Sequence, residues 1–183
     1  MTVTKDLLNP QHSIHYGFLT INQDANGFFG AYLVTNRWAR PIEFRISSAV
    51  QPNKVQHILY GEGLKPFIYS EVIAKTLVEK SSQLVDLVIT DLPEVLGLRK
   101  KLDIPVVCLA KAEDPVPHGT HVIPGPRGIG LHLAGTIEEA ELFTHFFEGL
   151  DIDLAEPFIR IRDAVLETIK SDTRTTSAAK NSG

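Results

Sequence analysis

Between Gly17 and Ala110 the chain passes through three β-like segments, a long helical region, a strand, a short helix and a second strand. Few architectures accept that order. HYGFLTINQ alternates and is rich in aromatic and β-branched residues, and FFGAYLVTN follows it across QDANG, where Asn26 and Gly27 supply a turn. The two form a hairpin. A second turn, NRWARP, leads into IEFRISSAV, where Ile42, Phe44 and Ile46 alternate with Glu43, Arg45 and Ser47. This alternation predicts a strand with one apolar and one wet face, at the open edge of an antiparallel meander.

Asn53 is placed to cap a short helix, KVQHILY, which Gly61 and Gly63 end, and Pro66 suits the first turn of a longer helix running to about Ser81. Phe67, Ile68, Val72, Ile73, Leu77 and Val78 give that helix a broad apolar stripe. LVDLVIT and IPVVCLA are nearly continuous apolar runs, as expected of strands covered on both faces, and Asp91 and Pro93 start a helix through Leu102 between them. Strands joined in this way are parallel, with a right-handed crossover. Three antiparallel strands feeding a βαβ unit is the element order of ribonuclease H-like folds. The expected class is therefore α/β, a mixed sheet with helices on both faces.

Beyond Lys111 the chain is rich in proline and glycine (EDPVPHGTHVIPGPRGIG), predicting loop or a short irregular hairpin around THVI and GLHLA. Thr136 and Glu139 form a capping box that opens a helix through about Glu148, stopped by Gly149. A last helix starts near Pro157, with Phe158, Ile161, Val165 and Ile169 on one stripe for the open face of the sheet. Residues 1–13 read as a loose arm, 14–170 as a single α/β domain, and the small polar end from Ser171 to Gly183 as a disordered tail.

At 183 residues and 43% hydrophobic composition the chain can build a core without staples. The single cysteine, Cys108, excludes an internal disulfide and a multi-cysteine zinc site, and its apolar setting reads as an inert core thiol. Lys5 and Asp6 interrupt any leader-like apolar stretch, and no window approaches a membrane span, so a soluble, cytoplasmic protein without a membrane is expected. The net charge of −4 argues against nucleic acid as an obligatory partner. Yet from Arg37 to Lys65 five basic residues face two acidic ones, giving +3 and leaving −4 − 3 = −7 for the remainder.

A two-metal nuclease needs several carboxylates converging on its ions. Asp91 follows LVDLVIT at the carboxyl end of a parallel strand, where α/β ligand sites form. Glu71, with Glu138, Glu139 or Glu141, could complete a cluster binding Mg²⁺ or Mn²⁺. The first strand lacks its acid: it offers Thr20 and Asn22, and Asp24 falls in the turn. Asp91 also has an ordinary reading as a helix N-cap, and Glu71 as a solvated helix carboxylate with Lys75 four residues on.

Among seven histidines only His118, His121 and His132 lie near one another in sequence; His118 and His121 with Asp114 form a weak candidate zinc set. IPGPRGIG could cradle an anion through Arg127, although it matches no nucleotide-binding loop and reads first as a tight turn whose glycines supply positive φ. Trp38, between Arg37 and Arg40 and followed by Arg45, has the composition of an interface anchor. Two functions remain. The sequence favours a non-catalytic subunit or adaptor that binds a protein partner, or a second copy of itself, through Trp38, Arg37, Arg40 and Arg45, with no cofactor. The alternative is a metal-dependent nuclease of ribonuclease H-like fold with a degenerate acid cluster, Asp91 and Glu71 being its catalytic residues and nucleic acid its partner.

Overall fold

The computed structural model describes residues 13–110 and 115–180, with side chains as far as Ser171. Three antiparallel strands come first: β1 (His15–Asp24), β2 (Gly27–Asn36) and β3 (Pro41–Ile46). Helix α1 (Lys54–Tyr60) follows, capped by Asn53 as its sequence predicts. After a 3-10 turn comes the longer helix α2 (residues 64–79). Its centre, Phe67–Ala74, is π-helical. The parallel pair β4 (Leu87–Thr90) and β5 (Val106–Leu109) is bridged by a 3-10 segment, Pro93–Lys100, in place of the expected helix to Leu102. The chain then forms β6 (His121–Pro124), β7 (Gly130–Ala134), α3 (Ile137–Phe147) and α4 (Glu156–Lys180).

All seven strands lie in one mixed sheet of order β3-β2-β1-β4-β5-β7-β6, in which β1, β4 and β5 are parallel. Alternation along β1 sorts its side chains between two layers. Tyr16 and Phe18, with Leu87, Ile89, Leu131 and Leu133, pack under α3 and α4. Leu19 and Ile21, with Val88, Val106 and Cys108, pack under α2 and the 3-10 segment. Helices thus cover both faces. Each fully buried Phe or Leu contributes about 1.5–3 kcal/mol. Gly17 is needed for close packing, because a Cβ there would run into the ring and hydroxyl of Tyr32.

Two local expectations change. On β3 the apolar residues are the exposed ones, Ile42 at 43% and Phe44 at 38%. The reason is position: the outermost strand extends past the cover of α4, while Glu43 turns toward the end of α2 and bonds Ser81 and Ser82. At the other terminus, α4 continues to Lys180, past the Ser171 at which a disordered tail was expected. No Gly or Pro interrupts 158–180, so a helix docked by its first turns propagates with little further cost.

Candidate functional site at the carboxyl ends of β1 and β4

Thr90 ends β4 level with Leu19 of β1, so Asp91 stands level with Thr20. The alternation that buries Leu87 and Ile89 under α4 puts Asp91 on the same face as Thr20 and Asn22. Asp91 does not cap the following helical segment, whose N-cap is Leu92. No side chain caps that segment; Thr90 Oγ1 accepts the Leu92 N–H at 3.2 Å and fixes the turn just before it.

Asp91 is bound from above. Arg162 of α4 donates from Nη1 to Asp91 Oδ2 at 3.2 Å, while Asp91 Oδ1 is buried with no hydrogen-bond partner. A second buried polar atom without a partner, Asn22 Nδ2, lies two residues beyond Thr20 on the same strand face. Arg162 and Asn22 also line one cavity of about 280 Å³, with Gln23, Phe29 and Val165. Unpartnered buried polar atoms are uncommon and costly; Tyr16 Oη, Tyr32 Oη and Arg37 Nε are others, but Asp91 and Asn22 stand where α/β folds form ligand sites.

The other expected acids are elsewhere. Glu71 sits on α2, in the layer across the sheet, and pairs with Lys101 at 2.9 Å. Ala134, at the end of β7, pairs with Val106 at the start of β5, so the first turn of α3 lies at the amino ends of the parallel strands. Glu139 there closes the capping box onto Thr136 N–H at 2.8 Å and pairs with Arg99 at 3.2 Å. A hydrogen bond with Thr136 holds the Glu138 carboxyl below its ordinary range. Glu141 lines a groove with His121 and His145.

Mg²⁺ or Mn²⁺ in a two-ion arrangement does not fit these residues. Two carboxylates stand along these strand ends, and neither is free: a guanidinium occupies one oxygen of Asp91, Asp24 at the end of β1 accepts the Asn26 N–H at 2.7 Å four residues beyond Thr20, and Thr20 and Asn22 between them bring no charge. Among the described residues no group of three or more His, Cys, Asp and Glu side chains is placed to hold a metal ion. Asp114, the third member of the weak zinc set with His118 and His121, lies outside the described residues.

Arg127 lies in the 3-10 turn between β6 and β7, and its Nε donates to Asp151 at 2.6 Å. The Trp38 turn lies at the far end of the sheet from Asp91. Asn36 is level with His15, roughly 17 Å along β1 from Thr20. Trp38 is 62% exposed with the Arg37 guanidinium 4.8 Å from its ring centre, Arg40 is exposed, and Arg45 pairs with Glu43 at 2.8 Å.

Arg162 is the residue that the sequence reading passed over. Its signal was available: Phe158, Ile161, Arg162 and Val165 follow the i, i+3, i+4, i+7 spacing of a buried face, and one member is a cation. The stem of Arg162 follows that stripe while its half-exposed guanidinium reaches Asp91.

No known protein family and no curated protein matches this chain. Solved structures do match. A protein of unknown function from Archaeoglobus fulgidus superposes with a TM-score of 0.51 at 14% identity, over 85% of this chain and 98% of that one. Endonuclease V from Ciona intestinalis, in complex with a 23mer DNA containing an inosine followed by a ribo-adenosine, gives 0.50 at 10% identity over 88% of each chain. Endonuclease V from Bacillus subtilis gives 0.49 at 11% identity, over 88% of this chain and 83% of that one. The fold is ribonuclease H-like, as the element order predicts. The preference for a non-catalytic adaptor of a protein partner is corrected by this likeness: the architecture is one shared with endonuclease V. The sequence weighed a missing first-strand acid against an enzyme, but that absence says nothing about a protein interface at Trp38.

Proposed function

We propose that this chain acts on nucleic acid, as a ribonuclease H-like protein whose acid set is reduced to Asp91, with Asp24 at the end of β1, and whose working edge is the carboxyl ends of β1 and β4. The observation that carries the reading is Asp91 itself: it sits at a parallel strand end, caps no helix, and keeps one buried oxygen without a partner. The shared fold with a DNA-bound endonuclease V supports the same reading. Arg162 and the amides of Asn22 and Gln23 give that edge donors suited to a phosphodiester chain. The negative net charge is no obstacle where cations are local.

The test is binding of labelled single-stranded DNA, duplex DNA, RNA and a DNA–RNA hybrid by the intact protein, followed by anisotropy. At least one of the four is expected to bind, with affinity falling as salt rises. No binding to any of them at low salt would overturn the proposal.

One observation favours a second reading, cleavage with a single ion on Asp91. Mg²⁺ sites often use one or two carboxylates and complete their shell from substrate phosphates, and Asp91 Oδ1 has no partner. That reading predicts Mg²⁺- or Mn²⁺-dependent nicking that disappears in Asp91→Asn. Activity surviving that substitution, or none on any of the four nucleic acids, would reject it.

A further inference from the structure

We infer that Arg162 is the resident cation of this site and holds a backbone phosphate of nucleic acid without a metal ion; the inference rests on the nucleic-acid reading above. A two-ion nuclease places positive charge against its strand-end carboxylates. Here the positive charge beside Asp91 comes from the protein, with Arg162 Nη1 at 3.2 Å from Oδ2.

The bond to Asp91 uses one of the five N–H groups of a guanidinium, whose planar fork matches two phosphate oxygens at once. The Arg162 side chain is 50% exposed and the Asp91 side chain 21%, so Asp91 serves as the inner anchor and the guanidinium as the outer, solvent-facing group. Asn22 and Gln23 line the same cavity and add amide donors, and Asn22 Nδ2 is buried with no partner; Asp24, at the turn end of the cavity, is the one carboxylate in the lining and accepts the Asn26 N–H at 2.7 Å. Phe29, Val165 and Leu166 form its apolar wall, suited to a sugar or base edge. Ligand pockets usually hold roughly 300–1,000 Å³. At about 280 Å³ this one suits a single unit of a chain.

The charges make Arg162 and Asp91 act in opposite directions. Arg162 attracts the phosphate and Asp91 repels it, so neutralising Asp91 leaves phosphate binding intact or strengthens it, whereas a metal site on Asp91 would lose a charged ligand. Binding of a labelled oligonucleotide, the best of the four nucleic acids above, separates the two in EDTA and in Mn²⁺. The expected affinity is the same in both. Arg162→Gln is expected to weaken it about 10- to 100-fold, the loss of a charge-assisted pair of hydrogen bonds. Arg162→Lys, which keeps the charge and loses the fork, should fall between, and Asp91→Asn should bind at least as well as the parent. Thermal unfolding of each variant checks the fold, and Arg162→Lys carries the comparison if Arg162→Gln unfolds. Binding lost in EDTA, restored by Mn²⁺ and abolished in Asp91→Asn would overturn the inference and leave the nucleic-acid reading standing. Absence of binding in either buffer would overturn both.

Discussion

Phe158→Ala is expected to destabilise the protein by about 3–5 kcal/mol, the usual cost of removing a buried phenyl ring. Phe158 is 1% exposed and meets Phe18 edge to face, with ring centres 5.7 Å apart at 82°. It lies in the first turn of α4 and anchors that helix over β1, so its loss loosens the element that carries Arg162. Urea unfolding should show a lower midpoint with an unchanged slope. For a chain of this size the expected fall in Tm is about 6–20 °C. Ile159, the next residue, is 55% exposed, and Ile159→Ala should stay within about 0.5 kcal/mol of the parent. Equal effects of the two substitutions would mean that α4 is not docked by Phe158.

Glu43 should make the protein acid-sensitive. Burial pushes its carboxyl up, but hydrogen bonds from Arg45, Ser82 and Ser81 together outweigh burial and hold the pKa at about 2, against an ordinary value of 4.5. Its Oε2 accepts from Ser81 Oγ at 3.0 Å, Ser82 N–H at 3.0 Å and Ser82 Oγ at 2.9 Å, and its Oε1 from Arg45 at 2.8 Å. A folded-state pKa below the unfolded one gives stability that is present above pH 4.5 and lost as pH falls from there toward about 2. Linkage sets an upper limit of about 3 kcal/mol. The side chain is 14% exposed, so solvent screening reduces this limit. In urea, the parent should lose its advantage over Glu43→Gln between about pH 5 and pH 2. A difference between the two that does not change with pH would show that Glu43 acts by packing alone.

The strands were legible because their signals are local. Alternation in HYGFLTINQ, the turn at Asn26 and Gly27, and the continuous apolar runs around Val88 and Val107 each act within a few residues, and their order determines the topology. The site was half legible. Asp91 was placed at its strand end by the same local pattern, but its partner Arg162 lies 71 residues away, and only the docked helix brings them together. Glu43 was misread for a similar reason. Period-2 alternation says that two faces differ, not which face a neighbouring helix will cover. Glu71 looked available because its true partner, Lys101, lies 30 positions on, beyond the helical spacing that suggested Lys75.

Among the described residues the open sheet has an unpaired margin on each side, β3 and β6, and such margins are where foreign strands attach and polymers begin. Both are short, six and four residues against ten in β1 and β2. Pro41 opens the first and Pro124 closes the second, and neither has an N–H to offer an arriving chain. The Glu43–Arg45 pair adds fixed charges to the longer margin. Growth of the sheet by edge addition is thereby discouraged on both sides, and substituting Pro124 or neutralising Glu43 would weaken the protection on its own margin alone.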